Sequence, residues 1–198
     1  QAFSMFTPFG RREEDAAVGG GEAEKPAAAS TPTDLDELKR QLDMVQVNIV
    51  ALTVLTRLAL PRMVTQHKGR ILNVASTAGF APGPLMAVYY ATKAYVVSFS
   101  EAIANELEGT GITVTALCPG PTRTSFAQEA GMVQSNLFSG PNVMDPAQVA
   151  AAGYQAMMRG RALVIPGLGN KFLIFSIRTS PRWAVRMITR WFQESRKG

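Results

Sequence analysis

Hydrophobic and polar positions fall into blocks whose period changes along the chain. Leu35, Leu38, Leu42, Val45 and Ile49 recur at helical spacing and predict a helix with one apolar face. Thr33 or Asp34 is placed to cap it, and Asp36 and Glu37 lie in its first turn. From residue 49 to 60 that helix is apolar nearly all round, which predicts burial between a sheet and a partner element; Pro61 should kink or end it nearby. Residues 71–75 form a short apolar run that reads as a buried strand. A Gly/Pro-rich loop follows through Gly79, Pro82, Gly83 and Pro84. The next helix carries Tyr89 and Lys93 and runs to about Leu107, with Tyr95, Val96, Phe99, Ile103 and Leu107 towards the core. Gly109 and Gly111 stop it. Residues 112–118 are a second buried strand, leading into Pro119-Gly120-Pro121-Thr122-Arg123-Thr124.

Beyond that point, residues 126–141 lack a clear period and read as a loop with a short helix. Asp145 or Pro146 opens a helix to about Met158, and residues 162–165 are a third short strand. Residues 168–177 are apolar, and Pro181 starts a last helix. In it Arg182, Arg186 and Arg190 form one stripe, while Trp183, Met187 and Trp191, with Ala184, Ile188 and Phe192, form another. The apolar side is expected to dock on the domain; the arginines leave open a salt-sensitive contact with a membrane surface.

Strands that alternate with helices imply an α/β fold with a parallel sheet. Ligands of such sheets bind beyond the carboxyl ends of the strands, where Ser76 and Thr124 both fall. The 198 residues suit one domain, at 33–166, preceded by a flexible segment or insertion at 1–32 and followed by a basic helical tail at 167–198. Residues 10–32 are rich in Gly, Ala, Glu and Pro and predict a mobile, dispensable insertion. Their three consecutive glycines follow no strand and match no phosphate-loop pattern.

Composition narrows the classes further. With 46% apolar and 18% charged residues the chain is globular in character. One cysteine, Cys118, excludes an intrachain disulfide, fits a reducing compartment such as the cytoplasm, and reads as a buried inert thiol. From Lys171 onward seven basic residues face one acid, so the tail holds +6 of a chain whose net charge is +5. The rest is near neutral, which argues against a nucleic-acid-binding surface. No apolar run reaches the ~18 residues of a membrane span, no signal peptide stands out, and no metal site is assigned. The chain starts at Gln1 and reads as a fragment or processed product.

The candidate chemistry sits between the first two strands. Tyr89 and Lys93 are four residues apart and share a helix face. An ammonium beside a phenol favours the phenolate, so Lys93 is expected to lower the Tyr89 pKa towards neutrality and make Tyr89 a general acid/base. Ser76, at the end of the first strand, is placed to hydrogen-bond the same reacting oxygen. Asn48 is an oddity, because a mid-helix asparagine in an apolar setting needs partners; either a satisfied core amide or a site residue fits.

The motif Tyr89-x-x-x-Lys93, the serine thirteen positions ahead of the tyrosine, the N-V-A-S that contains it and the later P-G-P-T-R-T together resemble the short-chain dehydrogenase/reductase family over about residues 35–166. Only Tyr89 has the lysine, since Ala94 stands four residues after Tyr90. The resemblance implies a Rossmann-like doubly wound parallel sheet and a catalytic tetrad of Asn48, Ser76, Tyr89 and Lys93. It implies that Asn48, Tyr89, Lys93, Pro119, Gly120 and Thr124 bind NAD or NADP, with Pro119 and Gly120 along the nicotinamide and Thr124 at its carboxamide. Asn48 would hold a water that relays protons to the lysine. A small carbonyl or alcohol substrate, and a homo-oligomer through helices 34–66 and 86–108, follow in the same way. The chain departs from the family in lacking its T-G-x-x-x-G-x-G fingerprint, its N-N-A-G turn and the residue that selects NAD from NADP. The sheet is therefore expected to be incomplete, with three strands and an apolar edge at Ile71. Two readings stay open: the catalytic part of an NAD(P)-dependent oxidoreductase, and a non-catalytic relative that acts by association.

Overall fold

The computed structural model describes residues 34–125 and 143–193. Among them three parallel strands, β1 (Gly69–Val74), β2 (Ile112–Leu117) and β3 (Leu163–Val164), form one sheet in the order β1-β2-β3. Gly69 lies opposite Ile112 and Val74 opposite Leu117, and β3 joins at Ala116 and Leu117. Each crossover is a helix: α3 (Ala87–Glu106) links β1 to β2, and α4 (Pro146–Met158) lies between β2 and β3 in the chain.

Alternation along β2 puts a helix on each face of the sheet. Ile112, Val114, Ala116 and Cys118 point one way into clusters shared with Val96, Val97 and Ile103 of α3 and with Leu107 just after it. Leu117 points the other way, against Gly153 of α4, and Thr113 meets Gly160 just after α4. A doubly wound parallel sheet is thus present, as expected. β1 pairs with β2 alone among the described residues, and Val74 at its far end is exposed.

The first long helix departs from its predicted packing. It begins as α1 (Asp34–Val45), loosens into a π-helical turn (Gln46–Ala51) and continues as α2 (Leu52–Thr65). Leu35, Leu38, Leu42, Val50, Val54, Leu55 and Leu58 are all exposed, and Thr56 is the buried residue of α2. The expected burial on all sides does not occur, because nothing among the described residues covers the face turned away from α3. Pro61 does not end the helix, which runs four residues further to Thr65. The Thr65 hydroxyl donates to the Pro61 carbonyl at 3.0 Å. Contrary to the expectation that no apolar run reaches span length, the helix over Leu35–Thr65 is long and apolar enough to cross a membrane by length and composition alone.

Elsewhere the local signals act as read. Asp145 caps α4, its carboxylate accepting from the Ala147 and Gln148 amides at 2.9 and 3.3 Å, and Pro146 takes the first helical position. Asp145→Ala should lower stability by about 1 kcal/mol, measured as a reduced urea midpoint at unchanged slope. Two more helices follow, α5 (Leu168–Thr179) and α6 (Arg182–Gln193). α6 turns Val185 and Gln193 inward; Trp183, Met187 and Trp191 are 61%, 66% and 57% exposed, so the expected docking of that stripe on the domain is not what the structure has. The predicted cap Thr33, the 10–32 insertion and the 126–141 loop lie outside the described residues.

Candidate active site

The site is built where β1 and β2 end. Past the strand proper the ladder continues, with the Ala75 amide on the Leu117 carbonyl at 2.8 Å and the Thr77 amide on the Pro119 carbonyl at 2.9 Å. These two bonds place Ser76 beside Pro119 and Gly120. Ser76 then caps one turn of 3₁₀ helix (Thr77–Phe80), its Oγ accepting from the Ala78 amide at 3.1 Å. The turn presses on α3 at Gly79, where a Cβ would come within 2.8 Å of the Lys93 carbonyl oxygen. Glycine is required there by close approach of two backbones.

α3 presents Tyr89 and Lys93 to the same point. The Tyr89 phenol hydrogen-bonds the Ser76 side chain, which lowers its pKa, but burial outweighs this and holds the phenol above its ordinary value. Lys93 sits under the ring, its Nζ 5.9 Å from the ring centre. Burial lowers the lysine pKa. The expected fall of the Tyr89 pKa towards neutrality is therefore corrected: the phenol loses more from leaving water than it gains from its bond to Ser76.

Asn48 lies in the π-helical turn, a distortion that recurs at functional sites. Its Nδ2 donates to Thr92 Oγ1 at 3.1 Å, and its Oδ1 accepts from Lys93 Nζ at 3.4 Å. Lys93 also donates to the Val74 carbonyl at 3.0 Å. Asn48 thus has partners on both ends of its amide, one of which is the lysine.

A cavity of about 660 Å³ opens over these groups, and Asn48, Ser76, Tyr89, Lys93, Pro119, Gly120 and Thr124 all line it. The structure brings every sequence-predicted site residue to one space. Its opposite wall comes from the C-terminal helices, through Leu173, Ile177, Val185 and Phe192 among others. No local pattern in the tail signals that role.

Two supporting residues escaped the sequence reading. Thr92 is buried, accepts from Asn48 and donates to the Tyr89 carbonyl at 2.8 Å. Asn170 of α5 is buried against the Pro-Gly turn, its amide where a Cβ of Gly120 would have to stand, and it donates to the Pro166 carbonyl at 2.8 Å. Neither carries a spacing signal, since each acts through a contact distant in sequence.

Cys118 is buried at the end of β2, and its thiol is pushed up to about 12 by burial and then by the charge of Glu101. It should therefore stay unlabelled by maleimide in the native protein at neutral pH and react fully once unfolded. Rapid labelling of the native chain would contradict this placement.

The short chain dehydrogenase family profile matches residues 19–134, more than half of the sequence. The chain belongs to the short-chain dehydrogenase family. It is 40% identical over 95 residues to the very-long-chain 3-oxoacyl-CoA reductase of Rattus norvegicus, covering 48% of this chain and 30% of that protein. It is 32% identical over 154 residues to the ketoacyl reductase HetN of Nostoc sp., covering 73% of this chain and 52% of that one. A solved short-chain dehydrogenase from Sphingobium yanoikuyae, in complex with NADPH, superposes with a TM-score of 0.57 at 32% identity over 69% of this chain and 57% of the other. The chain thus spans from under a third to about half of the length of these relatives.

Proposed function

We propose that the protein is an NAD(P)-dependent oxidoreductase that interconverts a carbonyl and an alcohol on an apolar substrate, and that this chain holds its catalytic groups. The observation that carries the reading is the convergence of Ser76, Tyr89, Lys93 and Asn48 on one apolar cavity at the carboxyl ends of two parallel strands. Relatives named as ketoacyl and 3-oxoacyl-CoA reductases support the reaction class, and a neighbour bound to NADPH supports the cofactor.

The donor set suits the nicotinamide half of such a cofactor. The cavity wall offers hydroxyls and one ammonium, with no carboxylate among its described lining residues. Lys93 and Tyr89 would hold the ribose, Pro119 and Gly120 the ring, and Thr124 the carboxamide. When bound, the nicotinamide supplies a hydride to the carbonyl carbon. The chain's own residues do the rest. Ser76 orients the carbonyl oxygen, and the Tyr89 phenol gives that oxygen its proton, leaving a phenolate. Lys93, held by Asn48 and the Val74 carbonyl, stabilises that anion electrostatically. In the oxidative direction the phenolate takes the proton back.

Because burial favours the neutral phenol, Tyr89 is in the proton-donating form at pH 7. Reduction should stay level through neutral pH and fall only above the ordinary tyrosine range, while oxidation should rise with pH over the same interval. Reduction that rises with pH across that interval, or oxidation that falls, would contradict the role. Cofactor binding tests the wider reading: titration with NADPH and NADH, followed by fluorescence, should saturate at micromolar concentration. No binding would favour the non-catalytic module, a reading that the missing T-G-x-x-x-G-x-G cradle keeps alive for this chain by itself.

A further inference from the structure

Helices α5 and α6, joined by Ser180 and Pro181, have two distinct surfaces. One lines the cavity. On the other, α5 carries Leu168, Phe172 and Phe175 on one stripe at helical spacing, and Phe172 is 72% exposed. Lys171 and Arg178 flank that stripe by the same helical geometry, although Arg178 also stacks over the Phe80 ring at 5.8 Å. On α6 the stripe is Trp183, Met187 and Trp191, all exposed, bordered by Arg182, Arg186 and Arg190. The two helices hold five basic residues and no acidic one.

Apolar stripes of this size on a soluble surface mark an interaction site. The pattern of large aromatic and aliphatic side chains bordered by arginines is that of helices lying in a lipid interface, with rings at headgroup depth and guanidinium groups on phosphates. A second copy of the chain is a poor occupant. A symmetric contact would set five positive charges against five others with no carboxylate between them.

We propose that the outer surface of the α5–α6 pair docks on an anionic lipid bilayer. The inner surface of the same pair walls the candidate active site, so docking brings the cavity close to the membrane. An apolar carbonyl substrate dissolved in lipid would then reach the site without crossing water; this last consequence rests on the proposed function, whereas the docking does not.

The two tryptophans of the chain, Trp183 and Trp191, both lie on this surface, so their fluorescence reports on it and not on the long apolar helix at Leu35–Thr65. The full chain is mixed with phosphatidylcholine vesicles with and without phosphatidylglycerol, each containing brominated acyl chains. Quenching is expected on the anionic vesicles at low ionic strength. It should be largely lost at ~0.5 M salt and absent on phosphatidylcholine alone. Arg182→Gln with Arg186→Gln should weaken partitioning roughly 25-fold, about fivefold per charge, with an unchanged circular dichroism spectrum. The salt and lipid dependence of the unaltered chain stands by itself if that variant folds poorly.

Four outcomes overturn the proposal. The first is no quenching at low salt, and the second is equal quenching on neutral vesicles. The third is sedimentation with vesicles while both tryptophans stay unquenched, which would assign the contact to the Leu35–Thr65 helix. The fourth is failure of acrylamide to reach the tryptophans before any vesicle is added, which would mean that protein already covers them.

Discussion

Tyr89→Phe is expected to lower carbonyl reduction by about 10²–10⁴-fold or more, while Tyr90→Phe leaves most of the activity. The two tyrosines are adjacent and their rings meet edge-on at 6.0 Å, so the pair tests position rather than chemistry. Tyr89 bonds Ser76 and lies over Lys93. Tyr90 instead packs against Gly83, whose missing side chain makes room for the ring. The measurement is kcat/KM for a ketone substrate, in a form of the enzyme that carries the cofactor's phosphate cradle. Equal losses in the two variants would show that the register is misassigned.

Gly79→Val should damage both stability and activity. A Cβ at residue 79 would stand 2.8 Å from the Lys93 carbonyl oxygen and 2.9 Å from Val97 Cγ2. The first of these is helix backbone in the middle of α3 and cannot yield cheaply. The 3₁₀ turn must therefore lift, and Ser76 at its start moves relative to Tyr89. Overpacking of this kind costs about 1–3 kcal/mol, and a displacement near 1 Å at a reacting group costs on the order of 10² in rate. A urea midpoint and kcat/KM measured on the same preparation would check both. Activity retained at full stability would show that the turn does not position Ser76.

Some of this molecule was legible in the one-dimensional pattern. The existence and order of the three strands, the α4 cap at Asp145 and the helix stop near Leu107 depend on neighbours a few residues away, and the chain states them to within a residue or two. Tyr89 and Lys93 share a face because helical spacing requires it. Family resemblance carried the reading further, joining Ser76 and Asn48 to the pair. The structure then placed all four on one cavity.

What the pattern could not reach were matters of solvent access and of partners far apart in sequence. Helical spacing marks the apolar residues of α1, α2 and α6 but not which of them are covered, because covering depends on elements brought up by the rest of the chain. Leu35, Leu58 and Trp183 are apolar by sequence and exposed in the fold. The direction of the Tyr89 shift is out of reach for the same reason: spacing tells that an ammonium is near, whereas the desolvation that raises the phenol comes from packing on all sides. The contacts of Thr92 with Asn48 and of Asn170 with the Pro-Gly turn span 44 and about 50 residues of chain. Such contacts exist only once the sheet has brought its loops together, so tertiary structure alone decided them.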